Sequence, residues 1–150
     1  MLFMNKKPTS FLGRKKARRY AIQALYGWML SGNSLVDIEE HVFLEHAAEE
    51  FDRDYFCVLL HAIPEKLEKI ESIMSPYLSR KLGELGLIEL TILRVSVYEL
   101  KERADIPYRV VINEALELAK TFGAPDSHKF VNGVLDKVAK QLRVVEFSAQ

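Results

Sequence analysis

One cysteine, Cys57, stands alone among 150 residues, so the chain has no internal disulfide and its fold must rest on packing. No apolar run approaches the roughly 20 residues that a helix needs to cross a bilayer. The basic N-terminus is not followed by the apolar stretch of a secretory signal, and the chain reads as cytoplasmic. Short catalytic motifs are missing as well: there is no GxSxG, no HExxH and no phosphate-binding glycine loop. His41, His46, His61 and His128 show no metal-ligand spacing. Asp126, Ser127 and His128 are the residue types of a hydrolytic triad, but three consecutive residues cannot face one another as nucleophile, base and orienter. Asn113-Glu114 reads as a cap or an interhelix hydrogen bond. The expectation is a protein that is not an enzyme and holds neither metal nor cofactor.

Acid is what the beginning of the chain lacks. Residues 1–19 hold Lys6, Lys7, Arg14, Lys15, Lys16, Arg18 and Arg19 and no Asp or Glu. The whole chain has 21 basic and 21 acidic residues, which leaves 14 against 21 in the other 131. Its neutral total hides a basic arm on an acidic body. The excess acid is concentrated between Asn33 and Tyr55, where eight carboxylates face one base, Arg53. A run of this kind is ordinarily a solvated face.

The apolar residues recur at helical spacing through most of the chain, and nothing signals a hairpin. Residues 1–13 read as a flexible basic leader, 14–143 as one all-helical domain and 144–150 as a frayed tail. From Lys15, Ala17, Ala21, Ala24, Leu25 and Trp28 form one stripe, while Lys15, Lys16, Arg19, Gln23 and Tyr26 collect opposite. Ser31-Gly32-Asn33-Ser34 ends that helix. A short acidic helix follows, with Val36, Phe43, Leu44 and Ala47 as candidate core. Pro64 interrupts or kinks the next helix. The stretch from Leu85 to Leu100 is apolar around nearly its whole circumference, which predicts a helix at the centre of the core. Further helices run from Pro107 to Gly123 and from Asp126, where Asp126 or Ser127 would cap the free backbone amides. The total is about seven helices, an all-α fold.

Two constellations stand out. Arginine-rich segments bind phosphate backbones through charge and counterion release. Arg14 and Arg18 sit where the arm meets the helix, and Lys15, Lys16 and Arg19 make a basic face. Tyr26 and Gln23 continue it, an aromatic for stacking and an amide for reading a base edge. A solvated extension would look the same by charge alone. In the second constellation Asp126, Phe130, Gly133 and Lys137 share one helical face. Phe130 lies at the edge of the apolar stripe, where it is either core or an exposed stacking platform.

Taken together, these residues resemble the NusB family of bacterial transcription antitermination factors. RKKARRYAIQALYGW (residues 14–28), ELTILRVSVYEL (89–100), VINEALELAKTFG (111–123) and DSHKFVNGVLDKV (126–138) carry the likeness, which spans about residues 13–138. The resemblance implies two packed helical subdomains around a central buried helix, without enzymatic activity. It implies pairing with NusE, also a small-subunit ribosomal protein, through the C-terminal half. The pair would bind single-stranded boxA RNA in nascent transcripts such as ribosomal RNA, and help RNA polymerase in an antitermination complex pass terminators. Arg14, Lys15, Lys16, Arg18 and Arg19 would then contact RNA, and Gln23, Tyr26, Asp126, Lys129 and Phe130 would complete the RNA surface. That implication favours an exposed Phe130. Arg19 departs from the family pattern, standing where an acid is common, and the leader is longer than in many members.

Two other readings remain open at this stage. One is a NusB-like module that targets an RNA methyltransferase, which the lack of a cofactor-binding domain before Gln150 disfavours. The other is a helical interaction protein, for instance a homodimer, whose arm binds an acidic partner.

Overall fold

The structure, a computed structural model, describes residues 10–149. The expectations for Lys6, Lys7 and the rest of residues 1–9, and for Gln150, lie outside the described residues. Among the described residues there are eight α-helices: α1 (Phe11–Ser31), α2 (Leu35–Glu45), α3 (Arg53–Glu65), α4 (Leu67–Met74), α5 (Leu87–Glu102), α6 (Tyr108–Phe122), α7 (Ser127–Leu142) and α8 (Val144–Ser148). Single 3-10 turns occupy Ser75–Tyr77 and Leu82–Glu84, and no strand occurs among the described residues. The all-α expectation holds. The chain divides into two compact units, residues 1–61 and 62–150.

In the first unit α1 starts earlier than its charge pattern predicts. Ser10 Oγ accepts the Gly13 amide at 2.9 Å, an N-cap that satisfies one free backbone donor and sets the helix start at Phe11. Residues 11–13, assigned above to the leader, are therefore helical. At the other end Gly32 adopts φ 71°, and its N–H donates to the Trp28 carbonyl at 3.0 Å. Only glycine takes this left-handed conformation without steric cost. Ala17, Ala21, Ala24 and Leu25 are buried as expected, and Trp28 is half-buried. α1 packs on α2.

α2 and the turn after it correct three core assignments. Leu44 is 78% exposed and Val36 is exposed as well, as is Ala47. The face turned inward is Leu35, Ile38 and Val42, at i, i+3 and i+7, which rotates Val36 and Leu44 into solvent. Phe43 is half-buried and joins Phe51 and Phe56, with ring centroids 6.3 and 5.8 Å away. Asp52 Oδ1 accepts the Tyr55 amide at 2.9 Å and so caps α3, while its own N–H donates to the Gly13 carbonyl of α1 at 3.1 Å.

The second unit is built on α5. Every residue from Leu90 to Leu100 is buried, and α4, α6 and α7 pack around the helix. A helix without a solvent face must satisfy its polar side chains internally. Thr91 Oγ1 donates to the Leu87 carbonyl at 2.7 Å, Ser96 Oγ to the Ile92 carbonyl at 2.9 Å, and Arg94 Nε to Glu71 at 3.0 Å. Gly123 is required by a close approach. A Cβ there would lie 2.8 Å from both the Ala119 carbonyl oxygen and the Ser127 side chain, so α6 can turn directly into α7.

The C-terminal stretch expected to fray is ordered instead. Arg143, buried between α7 and α8, donates to the carbonyls of Leu100 and Ile106 at 2.9 Å, Arg103 at 2.9 Å and Glu99 at 3.2 Å. Its guanidinium also pairs with Glu146, which accepts the Tyr108 amide at 3.1 Å. Phe147 stacks on Tyr108, centroids 4.2 Å apart. Thus α8 is bound to the end of α5 and the start of α6 by one arginine and one ring. The terminal apolar residues Val144 and Val145 do none of this and are exposed.

Candidate nucleic-acid interface

The five cations assigned to the arm separate into two groups. Arg18 is only 2% exposed, with its guanidinium 5.7 Å from the centre of the Tyr55 ring. Arg14 lies over the same ring at 4.2 Å and 3.7 Å from Asp52 Oδ2. These two arginines hold α1 to the start of α3. Burial removes Arg18 from the accessible RNA face, correcting that assignment, and Arg14 is half-buried. Of the other three cations, Lys16 and Arg19 are exposed and Lys15 is half-buried, its ammonium 5.6 Å from the centre of the Phe11 ring. All three line a groove of about 410 Å³ together with Ser10, Leu12, Gly13 and Glu50. They stand in the second and third turns of α1, beyond the first turn where the helix dipole acts, so the positive field there is that of the side chains. No acid stands in the first turn to offset it.

Gln23 is exposed and Tyr26 half-exposed further along α1. Gln23 also borders a cleft of about 390 Å³ between α1 and α2, lined by Tyr20, Asp37, His41, Glu45 and His46 among others. The wall of this cleft is a polar network the sequence did not announce. Tyr20 stacks on His46, centroids 3.9 Å apart, and its hydroxyl donates to Glu49. His46 Nδ1 lies 2.6 Å from the other Glu49 oxygen, and Lys16 Nζ 3.8 Å from the first. The Tyr20 hydrogen bond, then that of His46, holds the Glu49 carboxyl below the usual range. Burial and the adjacent carboxylate push the Tyr20 phenol from 10.0 up to about 12.

That shift gives a pH prediction. Between pH 10.0 and about 12 the unfolded chain loses the Tyr20 proton and the folded chain keeps it. Stability from this group is present below that window and falls as pH rises through it. Tyr20→Phe should make the alkaline loss of stability shallower in denaturant unfolding, with a residual slope from Cys57 and Tyr98, whose thiol and phenol burial also raises. An alkaline slope identical to wild type would show that Tyr20 does not carry it.

In the second unit Asp126 and Lys129 are exposed and pair at 3.5 Å. Asp126 stands at the N-cap of α7 without a side-chain capping bond. Ser127 does not cap either; its hydroxyl donates to Glu89 Oε2 at 2.7 Å. Phe130 is half-buried, and its ring face carries the guanidinium of Arg80 at 4.3 Å. Arg80, between the turns Ser75–Tyr77 and Leu82–Glu84, was missed as a site residue. An arginine flanked by turns gives no periodic signal, and its distance from Phe130 in the chain hid the contact.

Cys57 is half-buried, and its thiol donates to Glu39 at 3.3 Å. Burial and that carboxylate push it up to about 12, far from a reactive thiolate. Among the described residues no three His, Cys, Asp or Glu side chains are grouped so as to hold a metal ion, and no helix is long and apolar enough to cross a membrane.

Fold and surface define an all-helical protein that presents a cationic face on its first helix and a half-exposed aromatic at the start of its seventh. A profile of the NusB family matches residues 15–140, and the chain belongs to that family. It is 53% identical over 130 residues to the transcription antitermination protein NusB of Edwardsiella ictaluri, covering 87% of this chain and 94% of the relative. It is 50% identical over 141 residues to the protein of that name from Alcanivorax borkumensis, covering 94% of each. Among solved structures, a crystal structure of antitermination factors NusB and NusE in complex with dsRNA superposes with a TM-score of 0.79 at 30% identity, covering 88% of this chain and 99% of that one. T. maritima NusB superposes with a TM-score of 0.74 at 32% identity, covering 95% of this chain and 99% of that one.

Proposed function

We propose that this chain is a cytoplasmic, non-enzymatic transcription antitermination factor that pairs with NusE, binds single-stranded boxA RNA in nascent transcripts and helps RNA polymerase pass terminators. The observation that carries the RNA reading is the set Lys15, Lys16 and Arg19 along one groove of α1, continued by Gln23 and Tyr26. Cations fix the strand through its phosphates, and bases are read by stacking and edge contacts. In the second unit Lys129 supplies a further cation, Asp126 an acceptor for a base amino group, and Phe130 a ring. The family resemblance and the relatives' names support the partner and the process.

Binding assays on the full chain, with and without NusE, against boxA RNA, a scrambled single strand and a duplex test this reading. The tightest binding is expected for boxA RNA with NusE present. Equal affinity for boxA and scrambled strands would overturn the specific reading, and tighter binding to the duplex would replace single-strand recognition with shape recognition.

A further inference from the structure

The Arg80–Phe130 contact has the parts of a receptor for a flat group. Arg80 lies 4.3 Å over the Phe130 ring and 3.9 Å from Glu89 Oε1, and its side chain is 43% exposed. Glu89 is a fixed post. Its side chain is 13% exposed, Oε2 accepts from Ser127 Oγ at 2.7 Å, and Oε1 accepts the Gly86 amide at 3.3 Å. One leaf of the pair, the phenyl, is anchored in helix α7. The other, the guanidinium, is on a long, part-exposed side chain held by one ion pair at 3.9 Å and one ring face. Exposed cation–π contacts are weak, so the leaves can part at little cost.

We propose that Arg80 and Phe130 bind one unpaired RNA base between them, the base stacking on the phenyl ring while the guanidinium swings outward and closes over its other face. This inference rests on the RNA reading above. The local charge favours a base over a phosphate. Glu89 already neutralises Arg80, and Asp126 pairs with Lys129 one turn away from Phe130, so the patch offers no net attraction for an anion. A neutral aromatic group meets two π surfaces instead, and a planar guanidinium stacks on such a group where an ammonium cannot. The ring stays sheltered from water in the absence of RNA because Arg80 covers it.

The test measures affinity of the full chain with NusE for boxA RNA and for versions carrying an abasic site at each position in turn. Arg80→Ala, Arg80→Lys and Phe130→Ala are each expected to weaken binding about tenfold or more. Arg80→Lys should leave the salt dependence unchanged, since the charge is retained. The double variant Arg80→Ala/Phe130→Ala should lose scarcely more than either single change, because one base loses one sandwich. For one abasic position all the variants should bind like wild type. Wild-type affinity in Arg80→Ala and Arg80→Lys would overturn the proposal, as would additive losses, or full rescue by lysine with a shallower salt slope in alanine, which marks a phosphate contact. Thermal melting checks that the variants fold, and Arg80→Lys keeps the test open if Phe130→Ala does not. RNA binding by wild type alongside unaffected Arg80 variants would sink the sandwich and spare the RNA reading; no binding by wild type would sink both.

Discussion

Replacing Lys15, Lys16 and Arg19 together by glutamate is expected to lower affinity for single-stranded RNA by at least about a hundredfold at low salt, because charge-assisted contacts are worth about 1.5–3 kcal/mol each. The three side chains line one groove along α1, Lys16 and Arg19 exposed and Lys15 half-buried, where a phosphate backbone could pass. Each phosphate of a single strand that a cation neutralises releases counterions from the RNA and contributes about 0.7 to the slope of log affinity against log salt. The triple variant should therefore also show a flatter salt dependence. A slope equal to wild type would place the phosphate contacts elsewhere. Arg18→Ala should behave differently, costing stability without a matching change in slope, because that guanidinium is inside the fold.

The largest stability effect is expected at Arg143. Arg143→Ala removes four donated hydrogen bonds from the carbonyls of Glu99, Leu100, Arg103 and Ile106 and releases Glu146. Removing a buried, hydrogen-bonded charge costs about 3–5 kcal/mol, roughly 10 °C in Tm for a chain of this size. Arg143→Lys should recover little. An ammonium is a compact point charge and cannot spread across four carbonyls as the guanidinium fork does. Denaturant unfolding measures this directly, and a loss below about 1 kcal/mol would mean the carbonyls find other donors.

The helices and their order were legible because apolar periodicity is a local signal, and α5 was recognisable as central from having no polar face. The stops at Gly32 and Gly123 were legible for the same reason. What the sequence concealed depends on partners distant in the chain. Arg18 reads as one more charge of a basic run until Tyr55 is brought beneath it. Val36 and Leu44 read as core because composition shows an apolar residue but not the rotation of an eleven-residue helix about its axis. The tail read as frayed because its anchor is an arginine, a residue type that seldom signals burial. In the candidate site, Lys15, Lys16 and Arg19 were legible from phase, but the Arg80–Phe130 contact was not.

The pairs Arg14–Asp52 and Lys16–Glu49 alter what a salt titration of this surface can count. RNA phosphates hold a cloud of small cations and release them to solution when a lysine or arginine neutralises the strand; that release is the quantity the slope records. Arg14 and Lys16 begin with a carboxylate of their own chain as counterion. An RNA phosphate that takes either cation uncovers a carboxylate, which draws solvent cations to itself in turn. The exchange frees fewer ions than the contacts it makes, so the number of phosphates inferred from the slope will be smaller than the number touched.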